Sequence, residues 1–138
     1  MKFLIHADGG ARGNPGPAGS GAVVYDAKHK TVLEVSEYLG IATNNVAEYT
    51  AIVRALEQLA ELLGARAKGA EILVEMDSQL VVKQMRGEYK IKHPNMRPLA
   101  ARVQALAPQF KSVAFKHIPR EENGDADALA NAAMDRAY

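Results

Sequence analysis

The sequence predicts an α/β domain, and three observations carry that prediction. Up to Leu39 the chain is made of β-forming runs broken by glycine- and proline-containing turns. Apolar residues then recur at helical spacing, at Ile52, Leu56, Leu59 and Leu63, and beyond them strand-like and helix-like segments alternate. Two strand-like runs stop on an aspartate, Asp8 and Asp77, with a helix leading into the second. As parallel neighbours, those strands would place both carboxylates at the carboxyl ends of an open sheet, where such folds carry their sites.

Composition narrows the class. The chain of 138 residues suits one domain, residues 1–138, with a genuine core. Nearly half its residues are apolar (48%), yet no run approaches the roughly 18 consecutive apolar residues of a membrane span. No membrane partner is expected. The N-terminus lacks the pattern of a secretory signal, and there is no cysteine. That excludes disulfides, thiolate metal sites and cysteine nucleophiles, and makes a cytoplasmic location the expectation. The net charge of +1 hides an asymmetry. Between Lys83 and Arg120 lie nine lysines and arginines against the single acid Glu88, a net of +8, which leaves −7 for the rest. A basic segment beside an acidic remainder suggests a polyanion on one side and metal on the other. A solvated helical face is the plainer alternative.

The first strand is expected over Lys2–Ala7, ending at Asp8 beside Gly9 and Gly10. The loop Gly13-Asn14-Pro15-Gly16-Pro17 follows; its glycines let a backbone pass close to a ligand and its prolines stiffen the path. A carboxylate at such a loop suits an oxygen-ligating metal or a sugar-phosphate chain, although an ordinary hairpin with an aspartate capping its turn fits equally well. Strands are expected over Gly19–Val24 and Thr31–Leu39, joined as a hairpin. Thr43 or Asn44 can cap a helix running to about Leu63, with Gly64 as its stop. Glu48 lies on that helix's apolar stripe, where a carboxylate is costly unless something positive meets it. Taken alone, it also fits a first-turn acid that complements the helix dipole and leans to water.

Glu71–Met76 reads as a central strand ending at Asp77. Ser78–Arg86 can form a short helix, Gly87–Pro98 a basic irregular connection, and Leu99–Leu106 a further helix closed by Pro108. Ser112–Ile118 is the fifth strand, followed by a loop over Pro119–Gly124. Asn123 is placed to cap a last helix reaching about Ala137, with Asp125 and Asp127 both in its first turn. Dipole complementarity alone would account for either aspartate.

Four acids, Asp8, Glu48, Asp77 and Asp127, are thus candidates to converge. Without cations they would repel and their pKa values would rise. Divalent metal resolves the repulsion, and an all-oxygen donor set points to Mg²⁺ or Mn²⁺, not to zinc. Two such ions about 4 Å apart could activate a water and stabilise the leaving oxygen of an in-line phosphodiester displacement.

These residues also carry a resemblance. The chain resembles the type 1 ribonuclease H (ribonuclease HI) family through Asp8-Gly9-Gly10 with Gly13-Asn14-Pro15-Gly16, Thr43-Asn44-Asn45-Val46-Ala47-Glu48, Asp77-Ser78-Gln79 and Asn123 to Ala130. The motifs span nearly the whole chain in the family's order. The resemblance implies a ribonuclease H-like five-stranded mixed sheet, order 3-2-1-4-5, with helices on both faces. It implies cleavage of the RNA strand of RNA–DNA hybrids, leaving 3′-hydroxyl and 5′-phosphate ends. It makes Asp8, Glu48, Asp77 and Asp127 the metal ligands, Asp127 being preferred to Asp125 because Ala128-Leu129-Ala130 follows it. Two Mg²⁺ would bind with substrate, and Mn²⁺ would substitute. Asn14, Asn44, Asn45 and Gln79 match positions that read the minor groove and 2′-hydroxyls, and Thr43 and Asn95 match a phosphate pocket for the DNA strand. Lys83, Arg86, Lys90 and Lys92 lie nearest the expected binding connection after Asp77, and Lys90 and Lys92 are the expected substrate contacts among them.

There are departures. The connection Gly87–Pro98 is short and has no tryptophan, unlike the basic handle of enterobacterial relatives, and Val46 stands where a basic residue is frequent. His117 lies ten residues before Asp127, the spacing of a mobile catalytic histidine, but falls at the end of an expected strand. Arg120 is therefore the preferred occupant of that role. Double-stranded RNA is a further substrate of some relatives. A monomer is expected. The rival readings are a non-catalytic duplex-binding module, which would need no carboxylate quartet, and a metal nuclease acting on DNA, which would not need the 2′-hydroxyl-reading asparagines.

Overall fold

The computed structural model describes residues 1–136. Three antiparallel strands come first: β1 (Lys2–Ala11), β2 (Gly16–Tyr25) and β3 (Thr31–Ala42). The helix α1 (Asn44–Leu63) crosses to β4 (Glu71–Met76). The short α2 (Gln79–Met85), then α3 (Arg97–Leu106), lead to β5 (Ser112–His117), and α4 (Gly124–Asp135) closes the chain. The sheet order is β3-β2-β1-β4-β5, as the resemblance implies. It is mixed: β1, β4 and β5 run parallel, while β2 and β3 are antiparallel to their neighbours.

Alternation along the strands sets two faces. Ile5 and Ala7 of β1 and Ile72, Val74 and Met76 of β4 are buried in one core with Ile52, Leu56 and Leu59 of α1 and with Val103 and Leu106 of α3. The other face takes α4, whose Ala126, Ala130, Ala133 and Met134 are buried over β1 and β2. Thr43 caps α1, its Oγ1 accepting from the Val46 amide at 3.3 Å, and Ser78 caps α2 in the same way through Val81.

Several boundaries differ from expectation. β1 does not stop before Asp8. Its parallel ladder with β4 ends at His6, but its antiparallel ladder with β2 runs on to Ala11, so Asp8 lies inside the strand, opposite Gly21. β2 and β3 are longer than predicted for the same reason: their pairing runs on past irregularities at Ala18/Gly19 and Val24/Tyr25 and carries the glycine-containing ends as strand. α3 starts two residues early, at Arg97. Asn123 stands before α4, yet its side chain does not cap that helix. The predicted end of the last helix, near Ala137, lies outside the described residues. Among the described residues, no helix is long and apolar enough to cross a membrane.

Candidate active site

Two glycines let the acid-bearing helices come close to the sheet. A β-carbon on Gly9 would stand 2.3 Å from the Ala47 carbonyl carbon and from the Glu48 amide nitrogen, so α1 touches β1 at the turn that carries Glu48. A β-carbon on Gly21 would stand 2.3 Å from the Ala126 carbonyl oxygen, so α4 meets β2 at the turn that carries Asp127. Asp8 is the register partner of Gly21 and shares its face. Asp77 follows the last residue of β4, one strand away.

The four acids become neighbours as a result. Burial pushes Asp8 up to about 8, and the charge of Asp77 and a hydrogen bond shared with Asp127 push the same way. Glu48 is pushed up to about 7 by burial and, to a lesser degree, by Asp77, while a hydrogen bond from Ser78 works against the rise. Glu48 is only 8% exposed, so the reading in which it leans to water is overturned. The cause is the close approach at Gly9, which leaves its helical turn no solvent to lean into. Asp125, in contrast, accepts from the Tyr25 hydroxyl at 2.7 Å and is taken up in that bond.

Asn123 plays a part its sequence position does not announce. It is buried, and its Nδ2 donates both to the Ala7 carbonyl at 3.0 Å and to Asp77 Oδ1 at 2.8 Å. Its own backbone carbonyl accepts from the Asp127 amide at 3.1 Å. One residue thereby ties together the three elements that carry Asp8, Asp77 and Asp127. Its Oδ1 is buried with no partner among the described residues, a cost tolerated where the amide's other end is indispensable. An asparagine in front of a helix reads as a cap; no sequence signal separates a cap from this inward clamp.

All-oxygen, buried and mutually repelling donors fit a hard divalent cation. No three acids or histidines among the described residues stand so that they could hold an ion as they are, so binding one would take side-chain adjustment. A cavity of about 710 Å³ lies along the sheet beside Leu4, His6, Leu73 and Glu75 and includes none of the four acids. Its inner carboxylate, Glu75, is engaged by His6 at 2.8 Å, and the quartet stands as the candidate site.

The other candidates frame the quartet unevenly. Asn14 Oδ1 accepts from the Asn44 amide at 3.1 Å, which joins the β1–β2 loop to the start of α1. Asn45 is half-buried, and Gln79 is exposed at the first position of α2. Thr43 is engaged as a helix cap. Asn95 is exposed, its amide donating to His93 Nδ1 at 3.2 Å. Lys90 and Lys92 border a groove of about 540 Å³ with Leu80, Gln84, Tyr89 and Met96. His117 ends β5, paired with Met76, and is exposed; Arg120 is exposed in the 3₁₀ turn Arg120–Glu122.

A mixed sheet of this order, with carboxylates gathered where β1 and β4 diverge, defines a ribonuclease H-like domain. The family model described as "Reverse transcriptase-like" matches residues 6–133. The bifunctional protein Rv2228c of Mycobacterium tuberculosis is 52% identical over 138 residues, covering 99% of this chain and 36% of its own length. Ribonuclease HI of Halobacterium salinarum is 41% identical over 135 residues, covering 96% of this chain and 65% of its own. The structure of LC11-RNase H1 in complex with RNA/DNA hybrid superimposes with a TM-score of 0.92 at 47% identity, covering 98% of each chain. The chain thus spans little more than a third of the length of the first of these relatives. It belongs to the ribonuclease HI family, and its family and fold are those of a ribonuclease H enzyme.

Proposed function

We propose that this chain is a metal-dependent endonuclease that hydrolyses the RNA strand of RNA–DNA hybrids, leaving 3′-hydroxyl and 5′-phosphate ends. The observation that carries the reading is Asp8, a buried carboxylate inside a strand, facing Asp77 and Asp127. A buried cluster of acids is destabilising on its own and becomes useful where cations and a phosphodiester meet. LC11-RNase H1, which closely resembles this chain, is a hybrid-binding relative.

Asp8, Glu48, Asp77 and Asp127 would hold Mg²⁺, two ions when substrate is bound, with Mn²⁺ able to substitute. Divalent ions at such a site supply the charge that activates water and stabilises a leaving oxygen. The chain's own residues do the rest. Asn123 donates to Asp77 Oδ1 and so restrains that carboxylate. Asn14, Asn44, Asn45 and Gln79 would meet the minor groove, where only RNA offers a 2′-hydroxyl, so the strand to be cut is told from DNA. Thr43 and Asn95 would hold a phosphate of the DNA strand, and Lys90 and Lys92 would meet the duplex backbone. The working form on this reading is a cytoplasmic monomer.

Labelled hybrid, double-stranded RNA, single-stranded RNA and double-stranded DNA, incubated side by side with Mg²⁺ or Mn²⁺, test the proposal. Hybrid should be cut on its RNA strand, and any cutting of double-stranded RNA would add that substrate. Asp77→Asn should lower turnover by at least about 100-fold while hybrid affinity persists, because loss of one anionic ligand also removes repulsion toward phosphate. Near-normal turnover in that variant would overturn the carboxylate assignment. Binding without cleavage by the wild type would favour a duplex-binding module, and cutting of DNA alone would favour a DNA nuclease.

A further inference from the structure

The connection between α2 and α3 has no helix or strand over residues 87–96, yet it is anchored along its length. At its start the amides of Glu88 and Tyr89 both donate to the Lys83 carbonyl, at 2.8 and 3.3 Å. Lys83 Nζ donates to the Tyr89 hydroxyl at 3.2 Å and stands 4.9 Å from the centre of its ring. At its far end Arg97 Nε donates to the Ile91 carbonyl at 3.1 Å, and Met96 is buried. The middle anchor comes from the core. Gln84 Nε2 donates to the Lys90 carbonyl at 3.4 Å, and Gln84 Oε1 accepts from the Tyr49 hydroxyl at 2.7 Å.

The last pair is unusual in its setting. Tyr49 is fully buried and Gln84 is 6% exposed, between the apolar stripe of α1 and the buried Val81 and Val82 of α2. A phenol and an amide in such a place are costly unless each finds a partner. Here they partner one another, and the amide's remaining donor leaves the core to hold the loop. Tyr49 is also the neighbour of Glu48 on α1. A continuous polar line therefore runs from the residue beside a candidate catalytic acid, through α2, to the backbone of Lys90.

We infer that Tyr49 and Gln84 are positioning residues that hold the Lys90–Lys92 connection at a set height relative to Glu48, so that its cations meet duplex phosphates when the strand to be cut lies on the carboxylates. This rests on the hybrid-cleavage reading. Lysine side chains are long and flexible; what limits their reach is where the backbone that bears them is held. An anchor on the helix that carries Glu48 keeps charge and acid in one frame. Without it the loop must be ordered on binding, which weakens ground-state and transition-state binding alike and shows in KM, not in kcat.

The test compares Tyr49→Phe, Gln84→Met, the pair Lys90→Ala with Lys92→Ala, and Gln84→Met combined with that pair. Cleavage of labelled hybrid with Mg²⁺ is followed across a salt series, with amide hydrogen exchange of residues 88–92 on the same proteins. Tyr49→Phe and Gln84→Met should each raise KM roughly three- to tenfold, the range that one net hydrogen bond sets, with kcat within about twofold. Both should flatten the dependence of KM on salt and speed exchange in the loop. Added to the lysine pair, Gln84→Met should raise KM little further, because there is no longer charge to place. Unchanged KM in both single variants, a fall in kcat with KM steady, or full additivity with the lysine pair would overturn the inference. Tyr49→Phe removes one oxygen and keeps the ring, so it carries the test if Gln84→Met folds poorly. If the wild type cuts no hybrid, the functional reading fails separately. Exchange then judges the anchor alone: faster exchange at residues 88–92 in Tyr49→Phe upholds it, and unchanged exchange overturns it.

Discussion

Arg120 and His117 lie three residues apart on different supports, and that difference ranks them. His117 is the last paired residue of β5, held against Met76, so its backbone is fixed by the sheet. Arg120 opens a 3₁₀ turn between that strand and the helix bearing Asp127, and its long side chain is exposed. On the proposed reading its guanidinium would swing toward a phosphate at the quartet and hold it, as a positioned cation does. Arg120→Ala should lower turnover by roughly tenfold or more, and His117→Ala by less than about threefold. Cleavage rates of both variants across pH decide it: a large loss in His117→Ala, with disappearance of one limb of the pH profile, would reverse the ranking. At this scale residue type was legible and side-chain direction was not. The acids at strand ends and in first turns could be read from spacing and motif. Asn123 could not, because the same residue at the same position serves equally as a cap or as a clamp on Asp77, and a hydrogen bond to Ala7, far away in sequence, makes the choice.

Between elements, the closest approach is that of α1 to β1 at Gly9. Gly9→Ala would drive a β-carbon into the backbone of Ala47 and Glu48, which has no rotamer to yield with. The expected loss is about 1–3 kcal/mol, with a fall in cleavage beyond what unfolding explains, since Glu48 moves with its turn. Gly69→Ala, where a β-carbon meets nothing within 4 Å, should change stability by less than about 0.5 kcal/mol. Denaturant midpoints of the two variants provide the comparison, and equal midpoints would mean that the helix is free to back away. The same contact explains what the sequence left open about Glu48. A first-turn acid on an apolar stripe can lean to water or be buried, and the outcome here is decided by a glycine on another strand. Strand ends were misjudged for a related reason. Gly9 and Gly10 lower β-propensity and read as the end of β1, yet pairing with β2 carries them as strand, and their missing side chains leave room for α1 and for Met134 of α4.

For the molecule as a whole, the raised acids set how stability follows pH. Ordinary values are 3.8 for Asp8 and 4.5 for Glu48, whereas the folded protein holds these protons to about 8 and about 7. Across that interval the folded state binds more protons than the unfolded state, so stability falls as pH rises. The extensive core should keep the metal-free protein folded all the same. With EDTA, the melting temperature should be higher near about pH 5 than near about pH 8. Mg²⁺ at about 100 times its dissociation constant should add about 2.7 kcal/mol and reduce that slope, because it binds the folded state with its acids ionised. A melting temperature that rises with pH in EDTA would contradict the burial of these groups. The two-sided pairing of β1 also bears on how force travels through the domain. As far as His6 the strand is clamped between two ladders; from Ala7 to Ala11 its backbone pairs with β2 alone, braced by the side chain of Asn123 and by α1 at Gly9. It is a beam fixed two residues before Asp8 and propped one residue after it, at Gly9. The loop at Asn14, beyond the far end, is tied to the start of α1 through the Asn44 amide, so a load on it is shared with the helix that carries Glu48 before it arrives at Asp8.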